Sequence, residues 1–173
     1  MNADIFRPEQ WHDFFLMVGG GAAALAGLVF VAMSINLGII AQDPTHKNRA
    51  IGTLTGFSAI FMICALGLIG DQNHKSIGIE WLVISIPATY IYIRGYIRAI
   101  RMAGSPVSIG RTVIGTAYYA AQIIGSVLLI LGKISGLYIA SVAMVISFAS
   151  LISGAWLLII GIHEDQIKKS QKN

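Results

Sequence analysis

The chain has 173 residues, 55% of them hydrophobic and only 12% charged, with mean hydropathy +0.73, a balance that excludes an ordinary soluble domain. Its net charge of +4 and pI of about 9.4 do not point to nucleic acid, because the basic residues gather in short loops beside apolar runs, where membrane topology accounts for them. Cys64 is the single cysteine, so a disulfide framework is excluded.

The residues before the first run, 1–13, carry Asp4, Glu9 and Asp13 against Arg7 alone, unlike the positive leader of a cleaved signal. We expect this tail to be retained at the membrane interface. Pro8, Glu9 and Gln10 suit a helix start, and Trp11, Phe14 and Phe15 are residues of the kind that sit at headgroup level. The first apolar run, about 14–40, exceeds the roughly 20 residues that a span needs, which implies tilt, a kink or protrusion.

The second run, about 50–70, and the fourth, 112–132, lack charged residues and histidine in their apolar stretches and match one bilayer thickness. The third, about 79–101, has only Trp81 to Ile93 between Glu80 and Arg94, with Pro87 in the middle, so it spans only if its charged ends snorkel. The fifth, 134–162, is long and uncharged, and 163–173 forms a polar tail. With five spans, nine of the twelve lysines and arginines fall on one side (Lys47, Arg49, Arg94, Arg98, Arg101, Arg111, Lys168, Lys169, Lys172) and Arg7, Lys75 and Lys133 on the other. Lysine and arginine concentrate on the cytoplasmic side, so the expected fold is an all-α, five-helix polytopic bundle, one membrane domain over 1–173, N-terminus outside and C-terminus cytoplasmic.

In the first run Gly19, Ala23 and Gly27 recur every four residues, a small-xxx-small seam where helix backbones approach closely. It serves either packing within the protomer or an interface between subunits. Ser34, Asn36, Thr53 and Thr55, toward the cytoplasmic ends of the first two runs, and Gln122 in the fourth are candidates for a polar pore lining or for interhelical hydrogen bonds. Arg94, Arg98 and Arg101 follow Tyr90 along one helix face, which suits lipid headgroups, an acidic partner or a plain stop-transfer anchor. His12, His46, His74 and His163 lie at run ends or in loops, and no metal-binding, nucleophile or phosphate-loop motif appears, so we expect neither catalytic nor metal residues, and no cofactor.

Phe14-Phe15, then Val18-Gly19-Gly20-Gly21-Ala22-Ala23-Ala24-Leu25-Ala26-Gly27-Leu28-Val29-Phe30-Val31, then Ser34-Ile35-Asn36-Leu37, resembles the first helix of a family of small uncharacterised bacterial inner-membrane proteins. Gly136-Leu137-Tyr138 and Ala155-Trp156-Leu157-Leu158 are similar to that family's last hairpin and helix. Some members carry the label of modulator of FtsH protease, and the family supplies no catalytic residues. Its common Pro-Gly-Gln turn after the second helix is replaced here by Ile69-Gly70-Asp71-Gln72. The resemblance implies an inner-membrane location. Two functions remain open: a non-enzymatic accessory, scaffold or regulator acting on itself or on a membrane protein partner through helix packing, and a small homo-oligomeric channel or transporter lined by the first two helices.

Overall fold

The computed structural model describes residues 8–103 and 109–170; the rest of the expected N-terminal tail, with Arg7, and the end of the C-terminal one, with Lys172, lie outside the described residues. A 3₁₀ turn, Pro8–Trp11, leads into α1 (His12–Ile35), followed by the short α2 (Leu37–Gln42), α3 (Pro44–Gly67), α4 (His74–Ala103), α5 (Ile109–Ile130) and α6 (Ser135–Ser170). Five of them, α1 and α3 to α6, are long and apolar enough to cross a membrane, and no strand occurs among the described residues. The chain is a multi-pass membrane protein with an all-α bundle fold. Met17, Leu28, Ile35, Val83, Val142 and Trp156 are exposed on its outside, as lipid permits and water would not.

Helices α3, α4, α5 and α6 form a ring in which each packs on the next, and α1 lies outside it, against α3 and the edge of α6. The core runs through this ring. Phe15 of α1, Phe57, Ile60 and Ile63 of α3, Ile77 and Trp81 of α4, Leu129 of α5 and Leu137 and Met144 of α6 are fully buried. Trp81 donates its indole N–H to the Ile63 carbonyl at 3.1 Å, tying α4 to α3. At the α5–α6 crossing Gly125 faces Gly136 and Ala140, where an added Cβ would lie 2.7 Å from the Gly136 carbonyl oxygen. Only residues without side chains let two backbones meet so closely.

Several helix bounds differ from those expected, each for a local reason. The first run is not one helix over 14–40: it breaks at Asn36, whose side-chain amide donates to the Ala32 carbonyl at 2.9 Å, and α2 restarts from the Asn36 carbonyl, which accepts from Ile39 and Ile40. The excess length is thus resolved as a kink. α3 starts at Pro44 instead of 50, because Asp43 is held extended before proline and its carbonyl accepts the N–H of Lys47. α4 starts at His74 instead of 79, capped by Asn73, whose side-chain oxygen accepts the Ser76 N–H at 2.9 Å. Gln72 donates to both carboxylate oxygens of Glu80, at 3.0 and 2.8 Å, so that the acid near the start of α4 is engaged by a neighbour at the membrane edge. With these extra turns the third span runs from His74 to Arg98, and the shortness of the apolar stretch between Glu80 and Arg94 is no obstacle.

α5 ends in a Schellman turn: Gly132 takes φ +76°, Lys133 N–H reaches the Leu128 carbonyl and Gly132 N–H the Leu129 carbonyl, both at 2.9 Å. α6 does not stop at 162 but continues as helix through Ser170, beyond the apolar part that ends at Gly161. Of the three aromatics expected at headgroup level, Phe15 is instead a core residue, edge-on to Trp81 at 5.9 Å and close against Gly67, while Trp11 packs on Phe14 and on Tyr138 of α6.

Candidate functional site

The seam expected from Gly19, Ala23 and Gly27 divides between two faces of α1. Gly19 is buried, and a Cβ there would come 2.8 Å from the Cys64 Cβ of α3, so it belongs to packing inside the protomer. Ala23 and Gly27 are exposed, and a Cβ on Gly27 would meet nothing within 4 Å. The face that α1 turns toward its own bundle runs through Phe15, Val18, Gly19, Ala22 and Val29. The face turned outward includes Gly20, Ala23, Ala24 and Gly27. Small residues every four positions rotate by about 40° per step, so by Gly27 the stripe has left the intramolecular side.

Ser34, Asn36, Thr53 and Thr55 do not converge on one lining. Gly19 beside Cys64 and Phe15 beside Gly67 fix the antiparallel register of α1 on α3, which sets Ser34 and Asn36 near the level of residues 47–49. Thr53 and Thr55 stand about 6 to 12 Å farther along α3. Ser34 is exposed and donates to the Phe30 carbonyl of its own helix at 2.8 Å, whereas Thr53 is buried.

Gln122 has a different setting. It sits in the middle of the fourth span, Val113–Ile130, and is 0% exposed; Ser85 of α4 is 1% exposed, Tyr118 of α5 4% and Ser141 of α6 4%. Neither amide atom of Gln122, nor the hydroxyls of Ser85, Tyr118 and Ser141, has a hydrogen-bond partner among the described residues. Gly78 against the Ser126 carbonyl and Ile130 sets the register of α4 on α5, and Gly125 against Gly136 and Ala140 sets that of α5 on α6. Together they bring Ser85, Gln122 and Ser141 to about one level, with Tyr118 a turn away. Each lies on an inward stripe: Ile77, Trp81, Ser85 and Ala88 on α4; Tyr118, Gln122 and Ser126 on α5; Leu137, Ser141 and Met144 on α6. Ser126 is satisfied, donating to the Gln122 carbonyl at 2.8 Å, as Thr89 does to the Ser85 carbonyl at 2.6 Å.

No family model, curated protein or solved structure matches the chain. The site therefore rests on its own geometry. Of the quartet, sequence reading singles out Gln122 and passes over Ser85, Tyr118 and Ser141. The available signal was their spacing: Tyr118 is one turn from Gln122, and Ser85 and Ser141 stand one turn from inward-facing Trp81 and Leu137. Tyr118 also adjoins Tyr119 at 4.9 Å between ring centres, and Tyr119 adjoins Tyr92 of α4 at 5.1 Å, an aromatic row from the ring interior toward its edge.

Arg94, Arg98 and Arg101 are all exposed at the end of α4, and the Arg94 guanidinium stacks 5.2 Å from the centre of the exposed Tyr90 ring. This keeps the charge at the surface beside the apolar span. At the same end His46 is buried beside Gly161 of α6, its Nε2 3.6 Å from the Asp43 carboxylate. Among the described residues no three His, Cys, Asp or Glu side chains come together.

Proposed function

We propose that this protein is a non-enzymatic accessory, scaffold or regulator of a bacterial cytoplasmic membrane, oriented with its C-terminus in the cytoplasm, and that it acts by packing helix α1 on a partner helix, of another membrane protein or of a second copy. The observation that carries this reading is the outer face of α1: Gly20 and Gly27 have open space where a Cβ would be, and Ala23 and Ala24 continue the same surface. A glycine in a helix interior costs about 0.5–1 kcal/mol relative to alanine, a cost that no contact among the described residues offsets at these two positions. A close-packed neighbouring helix would offset it. The position of α1 outside the ring supports the same role, since a helix added to the edge of a bundle has a second face to offer.

The channel reading draws less support, because Ser34, Asn36, Thr53 and Thr55 are divided between levels and between exposed and buried faces of their helices. The resemblance of the first helix to a family in which some members are labelled protease modulators agrees with an accessory role and does not define the partner.

The test compares wild type with Gly27→Leu in lipid nanodiscs. Gly27 is exposed, and a Cβ there meets nothing within 4 Å among the described residues. The variant should therefore stay folded yet lose a defined stoichiometric companion, either a second copy by native mass spectrometry or one co-purifying membrane protein. Dissociation should rise at least tenfold, about 1.4 kcal/mol. Liposomes with the protein should show the same solute and ion flux as liposomes without it. Association unchanged by Gly27→Leu, or flux abolished by Asn36→Leu, would overturn the proposal.

A further inference from the structure

We infer that Ser85, Tyr118, Gln122 and Ser141 form a buried hydration site, holding one or more water molecules at mid-membrane depth inside the ring of α3 to α6. The central observation is Gln122, wholly buried with both amide atoms lacking a partner among the described residues. An amide has two donors and two acceptor positions, and unlike serine or threonine it has no short route back to its own helix carbonyls. Burial of such a group without a hydrogen bond is costly in a medium that offers none.

Three further hydroxyls from three helices are buried and unpartnered among the described residues, and the glycine contacts that fix helix register put two of them at its level. Other hydroxyls in the bundle do bond back to a carbonyl one turn earlier: Ser34 of α1 and Thr89, Ser126 and Ser153 of α4, α5 and α6 all do so. Ser85 and Ser141 have the same option and do not take it, which leaves their hydroxyls available to a shared guest.

The chemistry of the set selects the guest. All four side chains are neutral, and each hydroxyl both donates and accepts, as the amide does through its two ends. No charged side chain lies in the fourth span or in the apolar part of the fifth, and Glu80, five residues before Ser85 on α4, is engaged by Gln72, so these helices offer little to compensate an ion stripped of its hydration. A small neutral molecule that donates and accepts equally fits best, and buried water typically makes two to four such bonds. The site is distinct from the outer face of α1 and does not depend on the role proposed for it.

The experiment is water-edited solid-state NMR on protein carrying ¹⁵N in glutamine side chains, reconstituted into liposomes, with the Gln122 resonance assigned by its loss in Gln122→Met. Polarisation from water should reach the Gln122 amide at the short mixing times at which loop glutamines such as Gln72 respond. In Ser85→Ala and Ser141→Ala, each with tryptophan fluorescence of the native fold, that transfer should weaken selectively at Gln122. A Gln122 amide that receives no polarisation from water overturns the inference. So does a transfer unchanged in both serine variants, which would locate the water elsewhere.

Discussion

Substitution of Gly125 by alanine tests the packing argument at the α5–α6 crossing. The new Cβ would stand 2.7 Å from the Gly136 carbonyl oxygen and 3.0 Å from the Ala140 Cβ, where ordinary contact begins at 3.4 Å. Two of the nearby groups are backbone atoms of α6, which have no rotamer to change, so α5 and α6 must part locally by about 0.7 Å, a gap that forfeits a quarter to a half of each affected dispersion contact. Overpacking of this kind costs about 1–3 kcal/mol, and the higher helix propensity of alanine returns about 0.5–1 kcal/mol. We expect a net destabilisation of about 1–2 kcal/mol on this reasoning. Gly20→Ala is the matched control, since it makes the same change of residue with nothing within 4 Å. It should be neutral or stabilising by up to about 1 kcal/mol, for helix propensity alone. The assay is reversible unfolding in mixed micelles titrated with sodium dodecyl sulfate, followed by the fluorescence of buried Trp81. Equal midpoints for the two variants would refute the claim that packing, and not glycine as such, sets the cost.

Trp81→Phe removes the indole bond to the Ile63 carbonyl and part of a fully buried ring, and should lower stability by about 2 kcal/mol in the same titration followed by circular dichroism, most of it from lost packing. Replacement of Arg94, Arg98 and Arg101 together by glutamine should weaken retention of anionic lipid in native mass spectra, each arginine near an anionic surface contributing about 1 kcal/mol. Retention unchanged by the triple variant would leave these residues as a plain anchor. On the proposed orientation, in a Cys64→Ala background, Lys75→Cys should react with a membrane-impermeant thiol reagent in intact cells with a permeable outer layer, and Arg49→Cys only after the membrane that holds the protein is opened. The reverse pattern would invert the topology.

The number and order of the spans were legible because twenty apolar residues in a row have few other uses, and because charge marked the turns between them. Helix ends were less so. Apolar runs mark the spans, yet α3 and α4 begin at Asp43-Pro44 and Asn73, polar capping signals that precede the apolar stretch by several residues. The break at Asn36 lies in the opposite situation, inside an apolar run, where only a single amide competes with the helix. Which face of each helix turns inward was the hardest part to read. In water a helix shows its core side by contrast with a polar side, but lipid accepts the same residues as the core does, so the pattern carries little contrast. That is why Gly19, Ala23 and Gly27 read as one seam and belong to two faces, and why Gln122 stood out while Ser85 and Ser141, compatible with any membrane helix surface, did not.

The glycines of the bundle separate into two kinds, and the separation bears on function. Gly19, Gly56, Gly67, Gly78, Gly125 and Gly136 each have a neighbour where a Cβ would go, so the fold of the protomer alone requires them. Among the described residues Gly20, Gly27, Gly38, Gly52 and Gly95 have none within 4 Å, and each lies inside a helix where alanine would serve the isolated protomer better. A residue that weakens its own helix without allowing any contact inside the molecule has its physical reason, if it has one, outside the molecule. Two of these five lie on α1, the one spanning helix outside the ring, on a surface widened by Ala23 and Ala24, against one each on α2, α3 and α4. Lipid tails gain nothing special from such a groove, since flexible chains cover bulky and small side chains alike, whereas the rigid backbone of another helix gains the close approach that small residues permit. The search for a partner therefore starts at α1, with Gly27→Leu as the variant that blocks the surface and spares the fold.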